Sequence, residues 1–259
     1  MSIFLPTKQK LYKLNWTPHS PFILGTGLSC SLKSTICKQI AQEQNFLYVE
    51  LDELMMNALV DIPELCYKIF GCYPEPGDEG LDIVIRHYEP LTKEKEDSLF
   101  RLTLNYVNSK LRFIKANPAI DFSLYPRLAR AIKYMPYNPR GVIGEGAAAN
   151  LLDQWDMSSF NILFDLKNQY MRQQKIADKV FLEEGLTQPD IPDIRIDVHS
   201  DFIKDVEADC YVKTGFDHVS IYTSKQKIYN AMEQKGLALL PSLYDAMRPS
   251  RNSLEMLVK

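Results

Sequence analysis

Gly25-Thr26-Gly27-Leu28-Ser29-Cys30-Ser31-Leu32-Lys33-Ser34-Thr35 is the stretch whose reading decides the fold. Counted from Gly27, it meets the phosphate-binding pattern G-x-x-x-x-G-K-[ST] at every fixed place but one, where Leu32 stands for the second glycine. Before it, Pro21-Phe22-Ile23-Leu24-Gly25 reads as a buried strand; after it, Ile36, Ile40 and Ala41 mark a helix running to Asn45. A loop that joins a strand to a helix N-terminus turns backbone N–H groups inward, and the helix adds its positive end. In that geometry Lys33 reaches the outer phosphates of a nucleotide and Ser34 holds Mg2+, while Gly27, Leu28, Ser29, Cys30, Ser31, Leu32 and Thr35 complete the cradle. The other reading is a plain strand-to-helix turn with a fortuitous Lys-Ser-Thr.

Leu32 matters most, because a Cβ crowds a backbone that must approach phosphate closely. Leucine resists positive φ, so either the loop avoids that region or the nest of N–H groups is distorted. The expected solution packs Leu32 between the first strand and the following helix, with the loop N–H groups still converging on one anion-sized point.

Outward from the loop, short apolar runs alternate with polar turns and helical patterns, which predicts a parallel sheet with helices on both faces. The runs are Phe46-Leu47-Tyr48-Val49-Glu50, Gly141-Val142-Ile143-Gly144-Glu145 and Phe160-Asn161-Ile162-Leu163-Phe164-Asp165. A further strand lies in Tyr211–Lys213 or in His218–Tyr222. About five strands are expected, with the one ending at Gly25 central and those ending near Glu50 and Glu145 on one side of it. Strand alternation puts Glu50 and Asp52 on one face, where an acid can accept the proton of an attacking hydroxyl or orient Mg2+-bound water. Asp52 can equally cap the next helix. Glu145, followed by the small residues Gly146, Ala147, Ala148 and Ala149, is a second candidate for the Mg2+ site or a partner for a buried lysine.

Residues 53–139 read as a mostly helical insert, with Leu99, Leu102, Tyr106 and Leu111 on one helical stripe and an acidic loop at Tyr73–Gly80. It forms either a substrate-facing cap or a long crossover. Residues 166–205 form a candidate lid, in which Arg172, Lys175 and Lys179 share a helix face suited to neutralising a transferred phosphoryl group. A basic solvated face is the plainer reading of that run. Residues 1–20 form an N-terminal extension and 237–259 a tail. Leu237, Leu239, Leu240, Leu243 and Tyr244 of the tail close a core edge or form a self-association surface.

Composition removes other classes. With 46% hydrophobic and 24% charged residues the chain is globular rather than disordered. A net charge of -3 gives no general attraction for nucleic acid, so phosphate binding must be local. Proline and lysines interrupt the first residues, which reads as neither a signal peptide nor a membrane span. Five cysteines without metal-ligand spacing fit a reducing, cytoplasmic setting and the role of small buried hydrophobes. The four histidines form no HExxH-type pair.

The order of strand, phosphate loop, acid-x-acid segment, helical region, Gly-x-Gly-Ala strand end and basic helix resembles the P-loop nucleotide kinases. Val142-Ile143-Gly144-Glu145-Gly146-Ala147 followed by Leu151-Leu152 is similar to the V-G-R-G-A segment of cytidylate-kinase-like proteins, with Glu145 in place of arginine. Glu50-Leu51-Asp52, Phe70-Gly71, Asn117-Pro118, Gln169 to Arg172 and Ala208-Asp209 are similar to dephospho-coenzyme A kinase. The resemblance spans roughly residues 20–230 and carries a variant Walker A loop. It implies an α/β P-loop NTPase fold of the nucleotide-kinase kind with a helical substrate-side insert, over residues 21–236. It also implies ATP and Mg2+ as cofactors and phosphoryl transfer to a nucleoside-monophosphate-like or dephospho-coenzyme-A-like acceptor. Lys33, Asp52, Glu50 and Arg172 are then the catalytic residues and Lys175 a further nucleotide contact. The alternative from another class is a catalytically silent P-loop module acting as scaffold or regulator.

Overall fold

The computed structural model describes residues 12–13, 20–28, 31–87, 92–117, 119–166 and 205–241. Six strands form the main sheet in the order β5-β3-β6-β2-β7-β8. In chain order these are β2 (Phe22–Gly27), β3 (Leu47–Glu50), β5 (Ile132–Tyr134), β6 (Val142–Glu145), β7 (Phe160–Leu166) and β8 (Cys210–Thr214). All pairings are parallel except that of edge strand β5, which runs antiparallel to β3. The strand leading to the phosphate loop is central, with β6 and β3 on one side and β7 and β8 on the other, as its sequence context requires. A two-residue pair, β1 (Tyr12–Lys13) with β4 (Ala119–Ile120), lies apart from this sheet.

Near-continuous apolar runs form central strands because both of their faces are covered. Alternation divides them: Phe22, Leu24, Leu47, Val49 and Val142 face one core, while Ile23, Tyr48, Ile143, Phe160, Ile162 and Phe164 face the other. The second core is closed by α1 (Lys33–Gln44) and a C-terminal helix, α7 (His218–Gln234). In α1 the buried residues Ile36, Cys37, Ile40, Ala41 and Gln44 recur at three- and four-residue spacing. Asn45 ends this helix in the left-handed region, φ 56°, its N–H bonding Ala41 O.

The first core is closed by α2 (Leu51–Asp61), α3 (Pro63–Phe70), α4 (Gly80–Arg86), α5 (Lys93–Ala116) and α6 (Pro126–Ala131). Tyr106 and Leu111 of the expected stripe are buried on α5, with Leu99 and Leu102 partly buried beside them. The 53–139 region thus covers a sheet face, then returns to the sheet as β5.

Of the two segments offered for the further strand, Tyr211–Lys213 lies in β8, while His218–Tyr222 begins α7, because Asp217 caps it: its carboxylate accepts from Ser220 N at 2.7 Å. One expectation is corrected here. Asp52 is not a strand residue, since β3 stops at Glu50 and α2 begins at Leu51. At the end of the described chain, Leu237 and Leu239 pack on the second core. Gln44 bonds both backbone groups of Leu240, at 2.7 and 3.2 Å. This part of the tail closes a core edge; Leu243 and Tyr244 lie outside the described residues.

Candidate active site at the carboxyl edge of the sheet

The carboxyl ends of β2, β3, β6 and β8 meet around the start of α1, the edge where open α/β sheets carry ligands. Gly27 ends β2 at φ +151°, and a Cβ there would stand 2.2 Å from Phe164 O, so only glycine lets the chain leave the sheet at this point. Ser29 and Cys30 lie outside the described residues. On the far side, Ser31 N bonds Leu28 O at 3.2 Å, and Thr214 at the end of β8 donates from Oγ1 to Ser31 O at 2.8 Å. Leu28 and Ser31 are buried, whereas Ser34 and Thr35 are exposed on the first turn of the helix.

Leu32 occupies the left-handed region, φ 61° and ψ 15°. Of the two alternatives, the loop does not avoid positive φ: Leu32 takes the backbone that glycine would take and bears the strain. Its side chain does pack inward, partly buried against the core that holds Ile23, Ile36 and Ile40. That contact offsets part of the αL cost of about 1–2 kcal/mol. As the residue preceding α1, Leu32 offers no side-chain cap, and the first turn contains no acid. The first turn of α1 carries the positive end of the helix dipole, which favours an anion there.

Lys33, the first residue of α1, is only 7% exposed. Its Nζ lies 3.9 Å from Asp52 Oδ2 and 3.9 Å from Glu145 Oε2. Glu145 is 1% exposed and accepts from Tyr48 Oη on Oε1 at 2.9 Å. Burial is the main force on its carboxyl and pushes it up to about 7. Lys33 pulls against that, the Asp52 charge reinforces it, and Ser34 and Tyr48 pull it down. The same buried carboxylate, after burial itself, raises the Tyr48 phenol and the neighbouring Cys37 thiol. Two buried side-chain oxygens at this edge, Glu145 Oε2 and Ser31 Oγ, have no partner of ordinary hydrogen-bond geometry.

Asp52 sits in the first turn of α2, where a carboxylate meets the positive end of the helix. Rather than capping that helix, its Oδ1 accepts from Ala147 N across the edge at 2.9 Å. Gly146 makes the approach possible, since a Cβ there would fall 2.7 Å from Asp52 Oδ1. Glu50 is turned elsewhere, paired with Lys133 of β5 at 3.3 Å. The shared face expected for Glu50 and Asp52 is thus corrected: the chain turns into a helix between them, and strand alternation no longer applies.

Lys33, Ser34, Asp52 and Glu145 are brought together; Glu50 is not. Arg172 and Lys175, with Lys179, lie outside the described residues. Sequence reasoning missed Tyr48, Thr214 and Thr26. Tyr48 was findable, because it alternates onto the same face of β3 as the second core. The Thr26 hydroxyl ties β2 to the turn after β6, meeting Asn150 Oδ1 at 2.8 Å and Ala147 O at 3.1 Å, a contact that no local pattern marks.

A G-x-x-x-x-x-K-S loop thus leaves the central strand of a mostly parallel sheet, and its lysine lies beside Glu145 at the end of the adjacent strand β6 and Asp52 in the first turn of α2. The fold is a P-loop α/β fold. No protein-family model and no curated protein matches the chain. Among solved structures, it is similar to TT1252 from Thermus thermophilus, at TM-score 0.47 and 15% identity over 83% of this chain and 97% of that one. Shikimate kinase from Bacteroides thetaiotaomicron matches at TM-score 0.41 and 14% identity, covering 82% and 98%. Dephospho-CoA kinase from Campylobacter jejuni matches at 0.40 and 13%, covering 82% and 96%. Among the described residues, no helix is long and apolar enough to cross a membrane.

Proposed function

We propose that the chain transfers a phosphoryl group from ATP to a small nucleotide-like acceptor. The observation that carries this reading is the buried Lys33, at the start of α1 and 3.9 Å from both Asp52 and Glu145. A lysine is costly to bury unless its charge is compensated, and here acids from two different segments meet it at the start of the helix. Donor phosphates entering the loop would meet Lys33 Nζ, the uncapped N–H groups of α1 and the Thr35 region. Asp52, partly exposed and fixed by Ala147 N, stands where it can orient or deprotonate the acceptor hydroxyl. Arg172 and Lys175 are proposed to close over the transferring group.

The residues fit Mg2+. Ser34 Oγ and the Glu145 carboxylate are hard oxygen donors, and Glu145 Oε2 has no hydrogen-bond partner. Mg2+ generally keeps several waters and is held by one or two protein oxygens together with substrate phosphates. When bound, Mg2+ would supply charge neutralisation at the outer phosphate oxygens. A cation would also favour the ionised form of Glu145, opposing the effect of burial.

The silent-module reading retains one observation in its favour, the leucine at a left-handed loop position. A thermal-shift screen with ATP, GTP, CMP, dephospho-coenzyme A and pyrophosphate, each with Mg2+, separates the two, followed by a phosphoryl-transfer assay. A ligand at a hundredfold over its Kd should stabilise by about 2.7 kcal/mol. Lys33→Ala should remove that stabilisation and leave the fold intact. Nucleotide stabilisation that Lys33→Ala does not change would end the assignment. Binding without transfer to any acceptor would favour the silent module.

A further inference from the structure

Three residues, none shared with the phosphate-loop site, form a second reactive cluster. Cys72 Sγ and His87 Nε2 lie 3.0 Å apart, and the buried Cys66 thiol is close enough to Cys72 to feel it electrostatically. Local structure explains the meeting. The helix α3 ends at Gly71, which adopts φ 76° and ψ 11° and bonds from its N–H to Tyr67 O at 2.8 Å. Such a left-handed cap reverses the chain, so that the second residue past the helix packs back on its last full turn. Here that residue is Cys72, and the residue it reaches is Cys66. The loop after it is tied down. Tyr73 stacks on Tyr67 with ring centroids 4.9 Å apart, Glu75 N bonds Asp78 Oδ2 at 2.7 Å, and Asp78 pairs with Arg86. His87 follows directly as the residue closing α4, its N–H on Ile83 O and its ring against Phe70.

We infer that Cys66, Cys72 and His87 form a thiol redox site, in which a hydroperoxide oxidises Cys72 and Cys66 resolves it to an intramolecular disulfide. Exposure assigns the roles. Cys72 and His87 are partly exposed, whereas Cys66 is fully buried, as Cys37 is in the other core. The Cys72 thiol proton passes to His87 Nε2, and the thiolate attacks the terminal peroxide oxygen. The O–O bond breaks as the S–O bond forms, and the departing alkoxide takes the proton from His87. The Cys66 sulfur then attacks the Cys72 sulfur; the S–S bond forms and the S–O bond breaks. Hydroxide leaves as water with the Cys66 proton. Two thiols lose two electrons, and the peroxide gains them as alcohol and water. Burial first, and the adjacent Cys72 next, push the Cys66 thiol up to about 11, which keeps it protonated until a sulfenic acid forms beside it.

The test treats the folded full-length chain with limiting hydrogen peroxide, blocks remaining thiols, and maps peptides by mass spectrometry. The expected result is a Cys66–Cys72 linked peptide formed ahead of modification at any other cysteine, and reversed by a dithiol. Cys66→Ser should stop the reaction at a sulfenic acid on Cys72, trapped by a cyclic dione. Cys72→Ser should leave Cys66 unmodified, and His87→Asn should slow oxidation severalfold with the same final product. Circular dichroism and urea midpoints show that each variant is folded, so loss of reaction is not loss of structure. The proposal is overturned if Cys72 oxidises no faster than the other cysteines, if no 66–72 link forms, or if the purified protein carries zinc that blocks both thiols. None of these readouts depends on nucleotide, so failure here leaves the phosphotransferase reading as it stands.

Discussion

Replacing Leu32 by alanine and, separately, by glycine isolates the strain at the centre of the phosphate loop. The wild-type side chain is partly buried against the core of Ile23, Ile36 and Ile40. Half of the burial value of a leucine is about 1 kcal/mol, and both substitutions lose it. Alanine keeps a Cβ at φ 61° and so keeps the αL cost of about 1–2 kcal/mol. Glycine removes that cost but adds backbone freedom to the unfolded chain, worth about 0.5–1 kcal/mol. Leu32→Ala should therefore be destabilised by about 1 kcal/mol, and Leu32→Gly should lie above it by roughly 0.5–1 kcal/mol, close to wild type. Urea unfolding at equilibrium, with the slope unchanged across the three proteins, measures both differences. Nucleotide-dependent stabilisation should be kept or increased in Leu32→Gly, because the N–H groups lose a neighbouring side chain and keep their conformation. An alanine variant as stable as the glycine one would refute the strain. A glycine variant with weaker nucleotide binding would refute the claim that Leu32 stands in for a loop glycine.

Glu145 gives a pH signature. Its carboxyl is raised in the fold from 4.5 to about 7, so the folded chain binds this proton more tightly than the unfolded one. That stabilisation is full below the unfolded pKa and is lost as pH rises through about 7. In chelator, the urea midpoint of Glu145→Gln relative to wild type should therefore climb across that window; a flat difference would contradict the burial argument. Asp52→Asn should lower phosphoryl transfer by roughly 10²–10⁴-fold in a steady-state assay if Asp52 acts on the acceptor hydroxyl. Glu50→Gln only loosens a half-exposed pair with Lys133, and should change the urea midpoint by less than about 1 kcal/mol and leave turnover near wild type. Gly146→Ala drives a Cβ to 2.7 Å from Asp52 Oδ1 and 2.9 Å from Leu51 Cβ. It should cost about 1–3 kcal/mol by overpacking, and turnover should fall along with stability as Asp52 leaves Ala147 N.

The strand-loop-helix unit around Gly27 and Lys33, the central place of β2 and the neighbours ending at Glu50 and Glu145 were legible in the sequence. Each is set by local physics: apolar runs buried on both faces, a glycine where the chain must leave the sheet, and three- and four-residue spacing in α1. The side of the sheet on which each helix lies, and the return of residues 132–134 as an antiparallel edge, depend on which apolar faces meet, and no window of sequence contains that. The carboxylates divide in the same way. Glu145 could be named as a candidate because it ends a strand, but its partners Tyr48 and Lys33 come from elements 97 and 112 positions away. Glu50 and Asp52 looked equivalent two residues apart, until α2 began between them and sent one to Lys133 and the other to Ala147. Leu32 shows the same division: its departure from the loop pattern was plain in the sequence. That the fold would hold it at positive φ was decided by packing on the core beneath it, because burial against that cluster offsets part of a cost that the local chain would otherwise relax.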